Sequence, residues 1–297
     1  MTKPGTGFAQ DKRVVVTGSS RGLGRAFAVA LAREGAQVVL NGTQPGALAE
    51  AEAAVRAVGG DPLVVAGSVT DVEFCDELVA RCVDELGGID CLINNAGITR
   101  DRTLLKMSPE EFDEVIAVNL RGTWACARAA GRAMKEAGGG QLLNVISASA
   151  FTGAIGQTNY AASKAGAASM TRVWSRELER YGVRANALWP VAVTDMTQVV
   201  LERGRARAEQ EGRPAPSAAD LGYGQPEQIA ELVVYLVSDG ANALNGQIVT
   251  FDGRKMALWT HPHEVNIERR EGWTLEEIAR DFPQTVGREQ QPIYRAL

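Results

Sequence analysis

Residues 13–24 read RVVVTGSSRGLG, and this stretch decides how the rest of the chain folds. Its first residues are mostly β-branched and apolar, which is typical of a buried strand. The glycines that follow allow a tight turn, and a helical pattern then runs from Leu23 to Glu34 and breaks at Gly35. The N–H groups at the start of such a helix favour an anion, above all a phosphate. The stretch therefore predicts a strand–turn–helix unit that binds a nucleotide.

The glycine spacing in this turn leaves an alternative open. Gly18, Gly22 and Gly24 follow the pattern G-x-x-x-G-x-G, whereas the common dinucleotide fingerprint reads G-x-G-x-x-G. A plain glycine-rich connection between a strand and a helix would have the same composition. We favour nucleotide binding because the turn follows the first strand of an alternating β/α chain, where dinucleotide-binding domains place it.

Strands and helices alternate along the rest of the chain. The predicted strands are 13–18, 37–41, 62–69, 91–98, 141–147, 183–190 and 247–251. The predicted helices are 23–34, an alanine-rich helix ending near 58, 71–86, 108–137 and 158–181. Ser108, Pro109 and Glu111 form a capping-box pattern at the start of the fourth helix. This alternation predicts an α/β fold, a single domain with a doubly wound parallel sheet and helices on both faces.

Two segments depart from the alternation. Residues 196–224 are charged in their second half and too long for an ordinary connection, so we predict a substrate lid there. Residues 254–297 extend beyond the last strand, and Thr274 and Glu277 form a second capping-box pattern within them. We therefore predict a main domain at 1–253 and an extension that packs on the same domain or on a neighbouring subunit.

Net charge, apolar runs and cysteine spacing make several classes of partner and site unexpected for this chain. The 297 residues carry a net charge of −5, which gives no electrostatic reason to expect nucleic acid or an anionic membrane as a partner. No apolar run approaches about 18 residues, and the first residues lack the apolar core of a signal peptide. We therefore expect a cytoplasmic protein. The four cysteines form no C-x-x-C pair, so we predict buried free thiols and no metal site.

Residues 147–164 read SASAFTGAIGQTNYAASK and contain the candidate catalytic residues. Tyr160 and Lys164 are four residues apart, so they share one face if the segment is helical. An ammonium near a phenol favours the phenolate, and we expect it to lower the pKa of Tyr160 from about 10 toward neutrality. Such a phenol can exchange a proton with a substrate oxygen. Ser147 lies thirteen residues before the tyrosine, and Ser149 is a second hydroxyl nearby.

Together these motifs resemble the short-chain dehydrogenase/reductase family. The matching motifs, over roughly residues 12–253, are TGSSRGLG at 17–24, NNAG at 94–97, Asn119 in VNL, Ser147, the Tyr160 and Lys164 pair, and Thr194 after Pro190. The resemblance implies a Rossmann-type fold and an oxidoreductase that interconverts a ketone and a secondary alcohol by hydride transfer.

The resemblance also implies a role for each catalytic residue. Tyr160 would be the acid/base, and Ser147 would polarise the substrate carbonyl. Lys164 would hold the nicotinamide ribose and lower the pKa of the tyrosine. Asn119 would hold a water in a proton relay from Lys164 to solvent, with a purely structural asparagine as the alternative.

A nicotinamide cofactor would lie on the glycine turn and at the ends of the strands. The residues that we expect to bind it are Gly18, Ser20, Arg21, Gly22, Leu23, Gly24, Asn41, Thr43, Ser68, Val69, Asn95, Ala96, Gly97, Tyr160, Lys164, Pro190, Val193 and Thr194. We expect NADP(H) in preference to NAD(H), because no carboxylate occurs in the segment NGTQ at 41–44 and Arg21 can pair with a 2′-phosphate. Ser68 stands where the family often has an aspartate that holds the adenine.

Features of two family branches occur in this chain. The short connection from Pro190 to Thr194, the segment NAGITRDR at 95–102 and the tryptophan-bearing tail resemble (3R)-hydroxyacyl-CoA dehydrogenases, which usually bind NAD. Relatives that reduce 3-oxoacyl groups on a carrier protein tend to have basic residues before the fifth and sixth strands. This chain has Gly138–Gly140 and Tyr181 there, although Arg180 is adjacent.

We therefore expect a small-molecule substrate, a 3-oxoacyl thioester or another hydrophobic ketone. The alternative is an NAD-dependent (3R)-hydroxyacyl-CoA or hydroxysteroid dehydrogenase. A nucleotide-sensing module without turnover is a further alternative, which the intact set of Ser147, Tyr160 and Lys164 disfavours. The resemblance also implies a homo-oligomer, a tetramer or dimer built on the helices at 108–137 and 158–181, with alanines on their outer turns.

Overall fold

Eight strands form one sheet in the part of the chain that the computed structural model describes, which comprises residues 7–194, 197–198, 202, 208–264, 267, 272–286 and 288. The strands are β1 (Arg13–Val16), β2 (Gln37–Gly42), β3 (Leu63–Ala66), β4 (Cys91–Asn94), β5 (Gly140–Val145), β6 (Val183–Pro190), β7 (Ile248–Phe251) and β8 (Met256–Leu258). Their order is β3-β2-β1-β4-β5-β6-β7-β8, and every neighbouring pair is parallel except β7 with β8. The direction of winding reverses between β1 and β4, which confirms the predicted doubly wound α/β fold.

Helices cover both faces of this sheet. Those whose bounds lie wholly within the described residues of the main unit are α1 (Gly22–Arg33), α2 (Pro45–Arg56), α3 (Val72–Leu86), α4 (Pro109–Ile116), α5 (Thr123–Ala137), α6 (Ser149–Thr152), α7 (Thr158–Glu177) and α8 (Pro226–Val237). The helix α8 and the antiparallel edge strand β8 were not assigned from the sequence. The helix predicted at 108–137 has a π-helical segment, Ala117–Gly122, between α4 and α5.

The core lies in two layers because successive side chains of a strand point to opposite faces. In β1, Val14 and Val16 join the apolar layer formed with α1, α2 and α8, whereas Val15 joins the layer formed with α3 and α5. All three valines are fully buried. The four cysteines are free and buried, as predicted. The strands are therefore covered on both sides, and their ends and following loops are left to form a site.

Four strands end earlier than the sequence predicts: β3 ends at Ala66 and not at residue 69, β4 ends at Asn94 and not at residue 98, and β1 and β5 are also shorter. The first ends at Val16 and not at residue 18, and the fifth ends at Val145 and not at Ser147. Backbone geometry explains the difference at β1, because Gly18 has φ +63° and turns the chain out of the sheet. Candidate functional residues thus follow these strands in the loops at one edge of the sheet, the edge formed by the carboxyl ends of parallel strands.

Two units divide the chain, Met1–Leu258 and Trp259–Leu297. In the second unit, α9 (Leu275–Asp281) begins with the predicted capping box between Thr274 and Glu277. The predicted lid at 196–224 lies in part outside the described residues, so its function stays a prediction. Within the described ranges, the helices are too short or too polar to cross a bilayer.

Candidate active site

The glycine turn after β1 is bound tightly to the NNAG segment after β4. The Oγ1 of Thr17 accepts hydrogen bonds from the main-chain N–H groups of Asn95 and Ala96, at 3.0 and 3.1 Å. The Nδ2 of Asn95 donates to the carbonyl oxygens of Thr17 and Gly18, at 3.0 Å each. Two motifs that lie about 80 residues apart therefore form one rigid wall.

Close packing explains two of the three glycines in this turn. A Cβ on Gly18 would lie 2.7 Å from the Cα of Ala96, and the positive φ of that residue also disfavours a side chain. A Cβ on Gly24 would lie 2.4 Å from the carbonyl oxygen of Gly18. Both distances are shorter than real contacts, so any larger residue would push the turn away from the NNAG segment.

The start of α1 has the electrostatics of an anion site. Gly22 is its first residue, and its first turn contains no acidic side chain. The partial positive charge at this helix terminus is therefore not offset from within the helix. Arg21 and Gly22 are exposed, Leu23 is half-buried, and the buried Gly24 is surrounded by backbone. The turn fits the pyrophosphate of a dinucleotide, with a cation at its entrance.

The end of β2 lies against the same turn. The side chain of Ser20 packs on Gly42, where an added Cβ would lie 3.2 Å from the Cβ of Ser20. Arg21 and Thr43, the sequence neighbours of these two residues, are both exposed. Asn41 is buried instead, and its Nδ2 donates to the carbonyl of Val65 in β3 and to that of Gly67 just after it. That geometry gives Asn41 a structural role, and a cofactor contact by its side chain stays a prediction.

The loop after β3 contains the two residues predicted to contact the adenine. The Oγ of Ser68 lies 2.8 Å from the Oγ1 of Thr70 and also accepts the main-chain N–H of Thr70. Val69 is buried and packs against Gly122, where a Cβ would lie 2.7 Å from its Cγ2. This loop is therefore fixed against the π-helical segment.

Lys164 lies on α7, inside the protein and beside the end of β5. It is 4 % exposed, and its Nζ donates to the carbonyl oxygen of Val145 at 2.8 Å. Burial lowers the pKa of this ammonium from 10.5 to about 8. A Cβ on Gly97 would lie 3.6 Å from this Nζ and 3.4 Å from the Oδ1 of Asn119. The lysine, the asparagine and the NNAG segment thus meet at one point.

Tyr160 lies one turn before the lysine on α7. The Nζ of Lys164 is 5.7 Å from the centre of the phenol ring. Burial raises the pKa of Tyr160, a hydrogen bond with Ser147 lowers it, and the charge of Asp101 raises it. The net pKa is above the ordinary value, so the expectation that Lys164 brings it toward neutrality is not met. The reason is that burial disfavours both the phenolate and the ammonium.

Asn119 lies within the π-helical segment and is fully buried. Its Oδ1 accepts from the N–H of Ile98 at 2.9 Å, and its Nδ2 donates to the carbonyl of Ile98 at 3.0 Å. The Oγ1 of Thr123 donates to its main-chain oxygen at 2.8 Å, which satisfies a carbonyl in a helix with irregular pairing. Its side chain therefore anchors the NNAG loop, and the predicted water relay stays a prediction.

The chain after β6 forms a third side of the site. The N–H of Val191 donates to the carbonyl of Phe251, and the N–H of Val193 donates to that of Gly224, both at 2.9 Å. The N–H of Thr194 donates to the Oγ1 of Thr197 at 2.7 Å. Pro190, Val193 and Thr194 are all half-buried. Main-chain pairing therefore holds this segment next to the end of β7.

Several residues around Tyr160 were not singled out from the sequence. The Oδ1 of Asn159 accepts the N–H of Tyr160 at 2.7 Å, and its Nδ2 donates to the carbonyl of Arg100 at 3.1 Å. Gln157 and Asp101 lie beside it and form a hydrogen bond. An asparagine in the first turn of α7 is a signal that could have found the first of these, because such residues often satisfy free N–H groups.

The comparison with protein families agrees with this arrangement. Residues 12–205 match the model of the short chain dehydrogenase family. The chain belongs to the short-chain dehydrogenase family. The predicted resemblance is thereby confirmed, and with it the class of reaction: the protein is an NAD(P)-dependent oxidoreductase that acts on CH–OH and keto groups.

Individual short-chain dehydrogenases are similar over most of their length. Hydroxyacyl-CoA dehydrogenase ChsB1 of Mycobacterium tuberculosis is 41 % identical over 87 % of this chain and 82 % of its own. The 3-oxoacyl-[acyl-carrier-protein] reductase FabG of Thermotoga maritima is 36 % identical over 82 % and 97 %. A crystal structure of a short chain dehydrogenase from Mycobacterium avium has a TM-score of 0.81 and 32 % identity, and it covers 96 % of this chain and 98 % of its own.

Proposed function

We propose that this short-chain dehydrogenase interconverts a hydrophobic ketone, such as a 3-oxoacyl thioester, and its secondary alcohol with NADP(H). The observation that supports this most is the hydrogen-bonded pair of Ser147 and Tyr160 beside the buried Lys164. The pair lies at the same edge of the sheet as the glycine turn. A bound nicotinamide supplies the hydride in the reductive direction.

The protein's own residues then move the proton. The hydroxyl of Ser147 donates to the substrate carbonyl oxygen and polarises it, and the phenol of Tyr160 donates a proton to the same oxygen. Because the pKa of Tyr160 is raised, the phenol is protonated throughout neutral pH. Reduction therefore persists across neutral pH and weakens only as the pH rises through that pKa, whereas oxidation needs the phenolate and gains in the same range.

A hydrophobic substrate is supported by the surroundings of the pair. The rings of Phe151, on α6, and Trp189, at the end of β6, are tilted with their centres 6.4 Å apart. Leu105 and Ile155 lie on the two loops that are joined by the hydrogen bond of Arg102 to Gly156, and each is 95 % exposed. Apolar groups of this size are suited to contact with an acyl chain.

The second candidate function is oxidation of a hydroxyacyl-CoA with NAD. The similarity to ChsB1, 41 % over most of both chains, favours it. A panel of 3-oxoacyl thioesters, steroids and small ketones, each assayed with NADPH and NADH, tests both proposals. Reduction of a ketone with NADPH at a higher initial rate than with NADH supports the first. A clear preference for NADH supports the second and contradicts our interpretation of Arg21.

The exposed Arg21 gives a specific prediction for the cofactor. An Arg21→Ala variant should raise the KM for NADPH about tenfold while the KM for NADH changes little, since an arginine–phosphate hydrogen bond is lost only with NADPH. Initial rates at varied cofactor concentration measure this. Arg25→Ala is the matched control, because Arg25 is an arginine one turn further along, inside α1, where it pairs with Glu50 at 3.6 Å. Equal losses with both cofactors would contradict the 2′-phosphate contact.

We also propose that the protein is a homo-oligomer through α4, α5 and α7. The predicted alanine surface is met only in part, because Ala125, Ala129 and Ala130 of α5 are buried in the core whereas Ala162 of α7 is exposed. Large exposed apolar side chains on these helices include Trp124 and Val173, which are 40 % and 47 % exposed. We expect sedimentation at a multiple of 31.6 kDa. A species of 31.6 kDa at micromolar concentration would contradict the proposal.

A further inference from the structure

A row of three polar side chains leads from the surface to the candidate catalytic serine. The Nε2 of Gln157 donates to the Oδ2 of Asp101 at 3.1 Å, and the Oγ of Ser149 donates to the Oε1 of Gln157 at 2.6 Å. The main-chain N–H of Ser149 donates to the Oγ of Ser147 at 3.4 Å. Asp101 is exposed and Ser149 is buried, so the row joins solvent to the interior of the site.

The exposed end of the row fixes the direction of both hydrogen bonds that the side chain of Gln157 makes. A carboxylate only accepts, so the amide of Gln157 must turn its NH2 group toward Asp101. Its carbonyl oxygen then faces Ser149, and the hydroxyl of that serine must use its hydrogen on Gln157. Ser147 receives an N–H from the main chain at its oxygen, which leaves its own hydroxyl hydrogen to donate. The charge of Asp101 thus decides where the hydroxyl hydrogen of Ser149 points, which is toward Gln157 and away from Ser147.

The side chain of Gln157 makes its hydrogen bonds within this row and not with its own helix. It is the N-cap residue of α7, yet its side chain does not cap that helix. Residues at that position usually satisfy a free N–H of the first turn. The main chain holds the two loops in register, because the N–H of Arg102 donates to the carbonyl of Gly156 at 2.8 Å. This pairing of the two loops therefore places Asp101 opposite Gln157.

We propose that Asp101 and Gln157 are positioning residues that hold the Ser149 hydroxyl away from the substrate oxygen and keep Ser147 as its hydrogen-bond donor. This inference rests on the proposed function. Without Gln157, the hydroxyl of Ser149 can rotate and donate either to the Oγ of Ser147 or to the substrate. Either contact places the carbonyl wrongly relative to Tyr160, and small displacements of reacting groups slow the chemical step.

A double-mutant cycle between Gln157 and Ser149 tests this role. We expect Gln157→Ala to lower kcat for ketone reduction about tenfold with the KM for NADPH unchanged. In the Ser149→Ala background, where no hydroxyl is left to compete, the same change should lower kcat less than about twofold. Thr158→Ala is the control, because Thr158 is the exposed neighbour at the start of α7 and takes no part in the row.

A purely structural role would give a different pattern. If Gln157 only tethers the two loops, its loss lowers kcat by the same factor in both backgrounds and lowers the melting temperature, and the positioning role is refuted. A wild-type kcat in Gln157→Ala refutes it as well. These two results are obtained with a wild type that reduces the ketone and a Tyr160→Phe variant that does not. They would therefore refute the positioning role and leave the proposed function standing. A wild type inactive on the whole panel refutes the proposed function and this inference together.

Discussion

A Tyr160→Phe variant is expected to lose ketone reduction by about 10²–10⁴-fold while binding NADPH like the wild type. The change removes one oxygen, the atom that hydrogen-bonds Ser147, and leaves the ring in place on α7. Proton donation to the substrate oxygen is therefore lost without a cavity. Steady-state kinetics give the loss in kcat, and quenching of protein fluorescence by NADPH gives the affinity.

Tyr235→Phe is the matched control for this experiment. Tyr235 lies on α8, is 44 % exposed, and donates a hydrogen bond to the carbonyl of Gly240 at 3.1 Å. It loses the same atom at a site remote from Ser147 in the sequence, and its kcat should stay within about twofold of wild type. Retained reduction in Tyr160→Phe would refute the proposed acid/base role, whatever the substrate.

A Lys164→Met variant is expected to lose activity about 100-fold or more and to become more stable. Burial of Lys164 lowers its pKa from 10.5 to about 8, a shift that corresponds to a cost on the order of 3 kcal/mol for the buried ammonium at neutral pH. Methionine removes that cost and fills nearly the same space. It also leaves the carbonyl of Val145 without its donor, which costs about 1 kcal/mol or more. The net gain is therefore about 1–2 kcal/mol.

The sign of the pH dependence follows from the lowered pKa. Below about pH 8 the lysine is charged in both the folded and the unfolded chain, so the full cost applies and the variant's advantage is largest. Above it the folded chain releases the proton first, and the advantage shrinks as the pH rises toward 10.5. Thermal melts from pH 6 to 10 measure this. Lys135→Met, which removes an exposed cation–π contact with Tyr181, is the control. A lower melting temperature for Lys164→Met at pH 7 would contradict the argument.

The sequence predicted much of this molecule because its signals are local. Apolar β-branched runs gave seven of the eight strands of the sheet, and Ser108 and Thr274 marked two helix starts that the structure confirms. The structure also brings Lys164, Asn119 and the NNAG segment together, as the resemblance implied. The strand β8 was missed because it has three residues and exists through its pairing with β7.

What the sequence could not predict depends on environment and on contacts between distant segments. The pKa of Tyr160 was expected to fall because spacing shows the lysine nearby, but spacing does not show that both groups are buried. Asn41 was expected to bind the cofactor because it is polar and follows a strand, yet its side-chain amide donates to the carbonyl of Val65 in the neighbouring strand. The hydrogen bond of Gln157 to Asp101 joins residues 56 positions apart in two loops. No periodicity reports such a contact.

The π-helical segment at 117–122 has a consequence for changes in chain length. A π-helical turn holds one residue more than an α-helical turn, and that surplus residue gives Asn119 its orientation toward Ile98. Deleting a single residue there would restore a regular helix, so residues of this segment would change the direction they face by up to about 100° while α4 and α5 keep theirs. Asn119 would then turn away from the loop that it anchors, although every side chain of the site would still be present. The site is therefore encoded by the number of residues in this helix as much as by their identity.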